Sequence, residues 1–208
     1  ASDGYELPEC GNHAELESWG GVRLSRRDAQ AVWLPKDESV WKDVAASFSW
    51  KGGKGAWEVK NPLPDPWEAN FGDFTLLPRL TSFKHTGVFP EQAPNWAWAA
   101  ERIKSLGTPS VLNLFGYTGA ASIAPAKAGA AVTHVDSSKS ATTWASENAA
   151  RSGVAENGIR WIVEDARSFV KREIRREAKY DGILLDPPAF GRGAKDEVWK
   201  IEEDLAPL

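Results

Sequence analysis

The chain has no methionine anywhere in its 208 residues, only one cysteine, and no apolar run long enough to span a bilayer. A lone thiol, Cys10, excludes an internal disulfide framework and any zinc site built from cysteines. The opening residues Ala1–Gly4 have neither the basic nor the apolar region of a secretory leader, so the sequence reads as a soluble cytoplasmic protein with no membrane partner. Positive charge is also scarce: 25 Lys and Arg stand against 29 Asp and Glu, a formal net charge of −4. That balance is not the basic one of a dedicated nucleic-acid binder, although it leaves room for an enzyme that gathers a few cations around one pocket. The absent methionine, even at position 1, and an end at Ile201–Leu208 that reads as the start of a helix suggest a fragment. Composition leaves the oligomeric state open.

The sequence that is present changes character near residue 80. Before it, glycine and proline punctuate short β-like stretches, with Gly20-Gly21, Gly52-Gly53, Pro62 to Pro66 and Gly72 separating candidates such as 56–60, 67–71 and 74–77. Residues 1–80 are therefore expected to form a small β-rich domain. Six of the eleven tryptophans lie there, and core or turn packing is the preferred reading over a base-stacking platform. Beyond residue 95, apolar strands at 110–115, 131–135, 159–163 and 180–185 alternate with helices at 120–129, 139–152 and 166–178. Strands separated by single helices imply right-handed βαβ crossovers and a doubly wound, Rossmann-like parallel sheet. The expected class is α/β, with strands in the order 3-2-1-4 and the C-terminal strands of the domain missing. Lys171, Arg172, Arg175 and Arg176 read as a solvated helix face.

In such a sheet ligands bind beyond the carboxyl ends of the strands. The first strand runs through Asn113-Leu-Phe115-Gly116-Tyr-Thr-Gly119 into a helix, where glycines let the backbone turn tightly and the helix start offers free N–H groups. A packing turn would look the same. The second strand ends at Asp136, whose two oxygens suit the paired hydroxyls of a ribose, or a helix cap with Ser137 and Ser138 as rivals. Asp165, before Ala166, suits the exocyclic amine of adenine or a helix cap equally well. The fourth strand ends in Asp186-Pro187-Pro188-Ala189-Phe190. Two successive prolines cannot continue a strand ladder and fix rigid carbonyls at the pocket edge, where an aromatic can stack on a planar amine-bearing ring.

These stretches resemble the successive motifs of class I S-adenosylmethionine-dependent methyltransferases. They most resemble the bacterial family that includes the large-subunit (23S) ribosomal RNA cytosine-5 methyltransferases. The segment Phe83-Lys-His-Thr-Gly-Val-Phe-Pro-Glu-Gln92 resembles that family's motif ahead of the sheet. The resemblance covers residues 81–205 and implies a methyltransferase domain over 81–208, incomplete at its C-terminus. It implies S-adenosylmethionine as cofactor and a base of ribosomal RNA as substrate. Thr86, Gln92, Asn113, Phe115, Gly116, Gly119, Asp136, Asp165 and Ala166 would line the cofactor, while Asp186, Pro187, Pro188 and Phe190 would hold the acceptor. Asn113 stands where the superfamily commonly has an acid, so any contact it makes to the cofactor amine is uncharged.

The acceptor atom decides what else is needed. A nitrogen brings its own lone pair, whereas cytosine C5 requires a thiolate to add at C6, and Cys10 reads as a packing residue. Three rival readings differ in class. A dehydrogenase would want a Gly-x-Gly-x-x-Gly turn that 113–119 does not supply. A non-catalytic RNA-binding module could retain the sheet, and a pocket occluded by Trp199 would favour it. A protein or small-molecule acceptor is the third. Arg192, Lys195 and Lys200 could meet a phosphate backbone or simply be solvated.

Overall fold

The structure is a computed structural model that describes residues 3–51, 54–154, 158–193 and 197–208. It divides into two compact units, Ala1–Pro90 and Glu91–Leu208, so residues 81–90 fall in the first unit.

The first unit is built on a five-stranded sheet in sequential order: β1 (Tyr5–Gly11), β2 (Ala14–Trp19), β3 (Val22–Arg27), β4 (Ala46–Lys51) and β5 (Lys54–Val59). Only β3 and β4 pair in parallel. A two-stranded ribbon, β6 (Ala69–Phe71) with β7 (Phe74–Leu76), completes it. Leu16, Trp19, Leu24, Ala46 and Phe48 are buried, and the Trp67 indole donates to the Trp19 carbonyl at 2.8 Å. Apolar burial drives the packing, yet Glu17 is fully buried as well. Its carboxylate pairs with the Arg26 guanidinium and accepts from the Tyr5 hydroxyl at 3.1 Å, which answers the cost of burying a charge. The tryptophans divide: Trp19 and Trp67 are core, but Trp33 and Trp50 are more than half exposed.

The second unit opens with α1 (Ala93–Lys104), which the sequence reading did not anticipate; it buries Trp96, Ala99 and Ile103 at helical spacing and packs on α2 (Ala120–Lys127). The parallel strands are β8 (Ser110–Leu114), β9 (Ala131–Asp136), β10 (Ile159–Val163) and β11 (Gly182–Leu185), in the expected order β10-β9-β8-β11. Between them run α3 (Lys139–Arg151) and α4 (Ala166–Arg175). Leu112, Leu114 and Val135 cluster with Ala166 and Phe169 of α4. Asn113, on the opposite face of β8, reaches Ser122 of α2 at 2.8 Å. Helices therefore cover both faces, the Rossmann-like arrangement.

The basic face expected on α4 is only partly solvated. Arg172 donates to both Glu164 oxygens, at 2.6 and 2.5 Å, and Arg176 pairs with Glu173 at 3.2 Å. Beyond β11, β12 (Phe190–Arg192) and β13 (Val198–Lys200) form an antiparallel ribbon followed by the short α5 (Ile201–Asp204). The outer strand β11 exposes Ile183 (62%) and Leu185 (43%), two positions that share one face. No helix among the described residues is long and apolar enough to cross a membrane.

Candidate functional site

Strand β8 ends in a turn that carries unusual backbone angles. Phe115 and Tyr117 have φ of 56° and 48°, sparsely populated for residues with side chains, and Gly119 has φ of 91° at the N-cap of α2. Gly116 is required for a different reason. A Cβ there would stand 2.4 Å from two ring atoms of His134, so the turn lies directly against the imidazole. His134 is fully buried, and its Nδ1 lies 3.0 Å from Ser122 Oγ, which itself accepts from Asn113 Nδ2. Burial pushes the His134 pKa down to about 4, so the ring is neutral near pH 7. The Asn113 side chain is committed to this buried network and does not line the adjoining cavity.

Asp136, at the end of β9, faces the same turn. Its Oδ2 accepts from the Tyr117 N–H at 2.9 Å and its Oδ1 from the Ser138 N–H at 2.8 Å. Burial raises its pKa, and these two N–H donors oppose that rise. The helix cap for α3 is Ser138, whose hydroxyl accepts from Ala141 N–H at 3.2 Å, so Asp136 is left to fix the turn and face the cavity. Asp165 is a helix cap that also reaches the cavity. Its Oδ1 caps α4 through Ser168 N–H at 3.0 Å, and the residue also lines the cavity.

That cavity, of about 60 Å³, gathers the strand ends: Phe115, Asp136, Asp165, Ala166 and Pro188 all line it, together with Trp199. Trp199, expected only as an occluding group, is a wall of the cavity. It is 4% exposed, its ring lies 4.6 Å from that of Phe115, and its indole N–H donates to the Pro188 carbonyl at 2.8 Å. One of the rigid carbonyls offered by the proline pair is thus already engaged. Asp186 and Phe190 face away from burial. Asp186 is exposed, and Phe190 is 55% exposed on β12.

The remaining candidates are more scattered. Thr86 is in the first unit, its carbonyl accepting from Arg79 N–H at 3.0 Å. Gln92 precedes α1 and accepts from Asn95 Nδ2 at 2.7 Å. Cys10 sits half-buried on β1. Arg192 lines the cavity, Lys200 pairs with Glu203 at 2.8 Å, and Lys195 lies outside the described residues. No cluster of metal-ligating side chains occurs among the described residues.

The family described as conserved hypothetical protein 95 matches residues 93–204. A crystal structure of an S-adenosylmethionine-dependent methyltransferase from Agrobacterium tumefaciens is 44% identical, with a TM-score of 0.91 over 98% of this chain and 66% of that one. Among curated relatives, ribosomal RNA large subunit methyltransferase K/L of Pseudoalteromonas atlantica is 32% identical over 86% of this chain and 24% of its own length. The counterpart from Syntrophotalea carbinolica is 34% identical over 66% of this chain and 19% of its own length. The chain thus spans about a fifth to a quarter of these relatives, and about two thirds of the Agrobacterium protein. The matched segment contains every strand of the parallel sheet and the whole cavity, and with over half of its residues covered the chain belongs to the conserved hypothetical protein 95 family.

Proposed function

We propose that this protein is an S-adenosylmethionine-dependent methyltransferase acting on a base of ribosomal RNA. One observation carries the reading: the ends of β8, β9 and β10 and the segment after β11 converge on one cavity lined by Phe115, Asp136, Asp165, Ala166 and Pro188. The donor set suits an adenosine-bearing cofactor. The Asp136 carboxylate, held in one orientation by two backbone N–H groups, keeps lone pairs for a ribose diol. Asp165 and Ala166, on the cavity wall, would meet the adenine edge, while Gly116 and Gly119, at the turn into α2, would face the charged methionine end, an assignment that rests on the sequence resemblance. Assignments of Thr86 and Gln92 to the same cofactor rest on the sequence resemblance alone.

The cofactor supplies an electrophilic methyl group on a sulfonium. The protein's part is to align the acceptor in a dry site, an effect worth roughly 7–11 kcal/mol in well-oriented reactions. Asp186 and Phe190, at the exit of β11, are the proposed acceptor contacts, one as a hydrogen-bond acceptor and one as a stacking surface. Ribosomal RNA as the substrate follows from what the curated relatives are named for.

A non-catalytic RNA-binding module is the second reading, favoured by the cavity's small volume and by Trp199 on its wall. Sites for such ligands usually measure about 300–1,000 Å³, so an adenosine could enter only if the lining yields. Titration calorimetry with S-adenosylhomocysteine separates the two, and a labelled methyl donor offered to ribosomal RNA then tests transfer. Micromolar-range binding together with base methylation is the expected result. Absence of cofactor binding by the folded protein would overturn the enzymatic reading.

A further inference from the structure

One hollow in the first unit is a groove of about 480 Å³, formed entirely by residues of that unit. Its walls carry Trp50 at the end of β4 and Phe83, which are 54% and 69% exposed. Arg27 at the end of β3, Lys84, His13 and His85 complete the chemistry, and no carboxylate is among the lining residues. In a protein of net charge −4 this is a local reversal of sign. Neighbouring Arg26 is neutralised by Glu17, but neither Arg27 nor Lys84 has an ion-pair partner among the described residues.

The exposed aromatics stand on a fixed frame. The Thr81 hydroxyl accepts from the Phe83 N–H at 3.2 Å and lies 2.9 and 2.7 Å from the carbonyls of Phe83 and His85. Arg26 donates to the Lys84 carbonyl at 3.2 Å and Trp57 to the Thr81 carbonyl at 2.9 Å. His13 Nδ1 lies 3.3 Å from the Ala29 carbonyl, which can only accept, so this nitrogen carries the proton. Phe83 is thus presented to solvent by a pinned backbone, and a large apolar ring held outward this way is a binding feature more than a packing one.

We propose that this groove binds a single-stranded RNA segment, stacking an unpaired base on Trp50 and Phe83 and holding the adjacent phosphates with Arg27 and Lys84. The volume matches a nucleotide-sized ligand. Aromatic faces stack on any base, and unpaired cations track the backbone, the combination found in single-strand binding. Sequence-independent capture here would retain the substrate, while base identity would be tested elsewhere. The proposal rests on RNA being the acceptor, and it names a part of the protein that engages it.

The test uses the 208-residue protein and a fluorescein-labelled single-stranded oligoribonucleotide followed by anisotropy. Trp50→Ala and Phe83→Ala should each weaken binding by roughly fivefold or more, the effect of losing one stacked base. The double variant Arg27→Gln/Lys84→Gln should flatten the plot of log affinity against log salt by about 1.4, from about 0.7 per phosphate contact. A duplex of the same sequence should bind more weakly. Denaturation midpoints report folding, and Phe83→Leu replaces the alanine variant should that unfold. Unchanged RNA affinity in the aromatic variants, or displacement by polyglutamate as effective as by RNA, would overturn the proposal in favour of a merely basic patch or an acidic protein partner. S-adenosylhomocysteine binding, measured on the same variants, keeps the outcomes apart. Cofactor binding with variant-insensitive RNA affinity sinks this groove alone. Variant-sensitive RNA affinity without cofactor binding supports the groove and sinks the methyltransferase reading.

Discussion

Gly116 lies against the face of His134 so closely that a single methyl group on its Cα would stand 2.4 Å from the imidazole. Gly116→Ala must therefore displace either the turn or a fully buried ring. The expected cost is about 1–3 kcal/mol of stability, as for overpacking in other cores, together with weaker binding of S-adenosylhomocysteine because the turn moves. Urea denaturation and calorimetry measure the two effects. Adding a second substitution, His134→Ser, should restore part of the loss, and strict additivity of the two would refute the contact as its cause.

Asp136→Asn addresses the carboxylate itself. The variant keeps one acceptor oxygen but presents an amide to one of the two N–H groups that now donate to it. Cofactor affinity should fall by about 1–3 kcal/mol, the scale of a buried polar group left unmatched. Calorimetry on folded protein decides, and unaltered affinity removes Asp136 from the site.

The pH dependence of stability should carry the mark of His134. Its pKa is about 4 in the folded protein, against an ordinary value near 6.5, so the unfolded chain takes up a proton that the fold resists. The contribution is complete above pH 6.5 and is lost as pH falls towards 4. Between pH 7.5 and 5 it amounts to about 2 kcal/mol. Asp136 works in the opposite direction, since burial raises its pKa and protonation relieves that cost. Comparing urea midpoints at the two pH values for wild type and His134→Gln isolates the histidine. An equal pH slope in both would show that the ring is not the source.

Asp186 and Phe190 should separate binding from turnover. Neither is buried, and neither lines the cavity, so Asp186→Ala and Phe190→Ala should leave cofactor affinity nearly intact. Phe190→Ala should cost roughly 1–3 kcal/mol in acceptor binding, and Asp186→Ala should lower kcat, as expected of a contact made in the transition state. Calorimetry and methyl transfer to ribosomal RNA fragments, run on both variants, give the comparison. Full activity in both would end the role proposed for this segment.

The parallel sheet was legible because its strands are near-continuous apolar runs bounded by glycine and acid, and helices cover both of its faces. Strands β1 to β3 were not. Pro8 interrupts β1, and buried Glu17 breaks the alternation of β2, so the pattern that would announce a half-buried strand is missing. Helix α1 was hidden by its tryptophans, residues enriched in strands, even though Pro94 in its first turn suits a helix start. In the site, Asp136 and Asp165 stood out as acids at strand ends. The burial of Asn113 in a network with Ser122 and His134 did not, because it depends on how β8, α2 and β9 pack, and the seating of Trp199 against Phe115 joins residues far apart in the chain.

The outer strand β11 shows Ile183 and Leu185 on one face and ends the sheet. A strand in that position offers a row of main-chain donors and acceptors along one side and an apolar surface above it. Such an edge is adhesive: whatever lies next to it first, be it another part of a longer polypeptide or a second molecule, can extend the ladder. Concentration, and the order in which strands emerge during synthesis, therefore bear on the fate of this chain as directly as the proposed cofactor chemistry does.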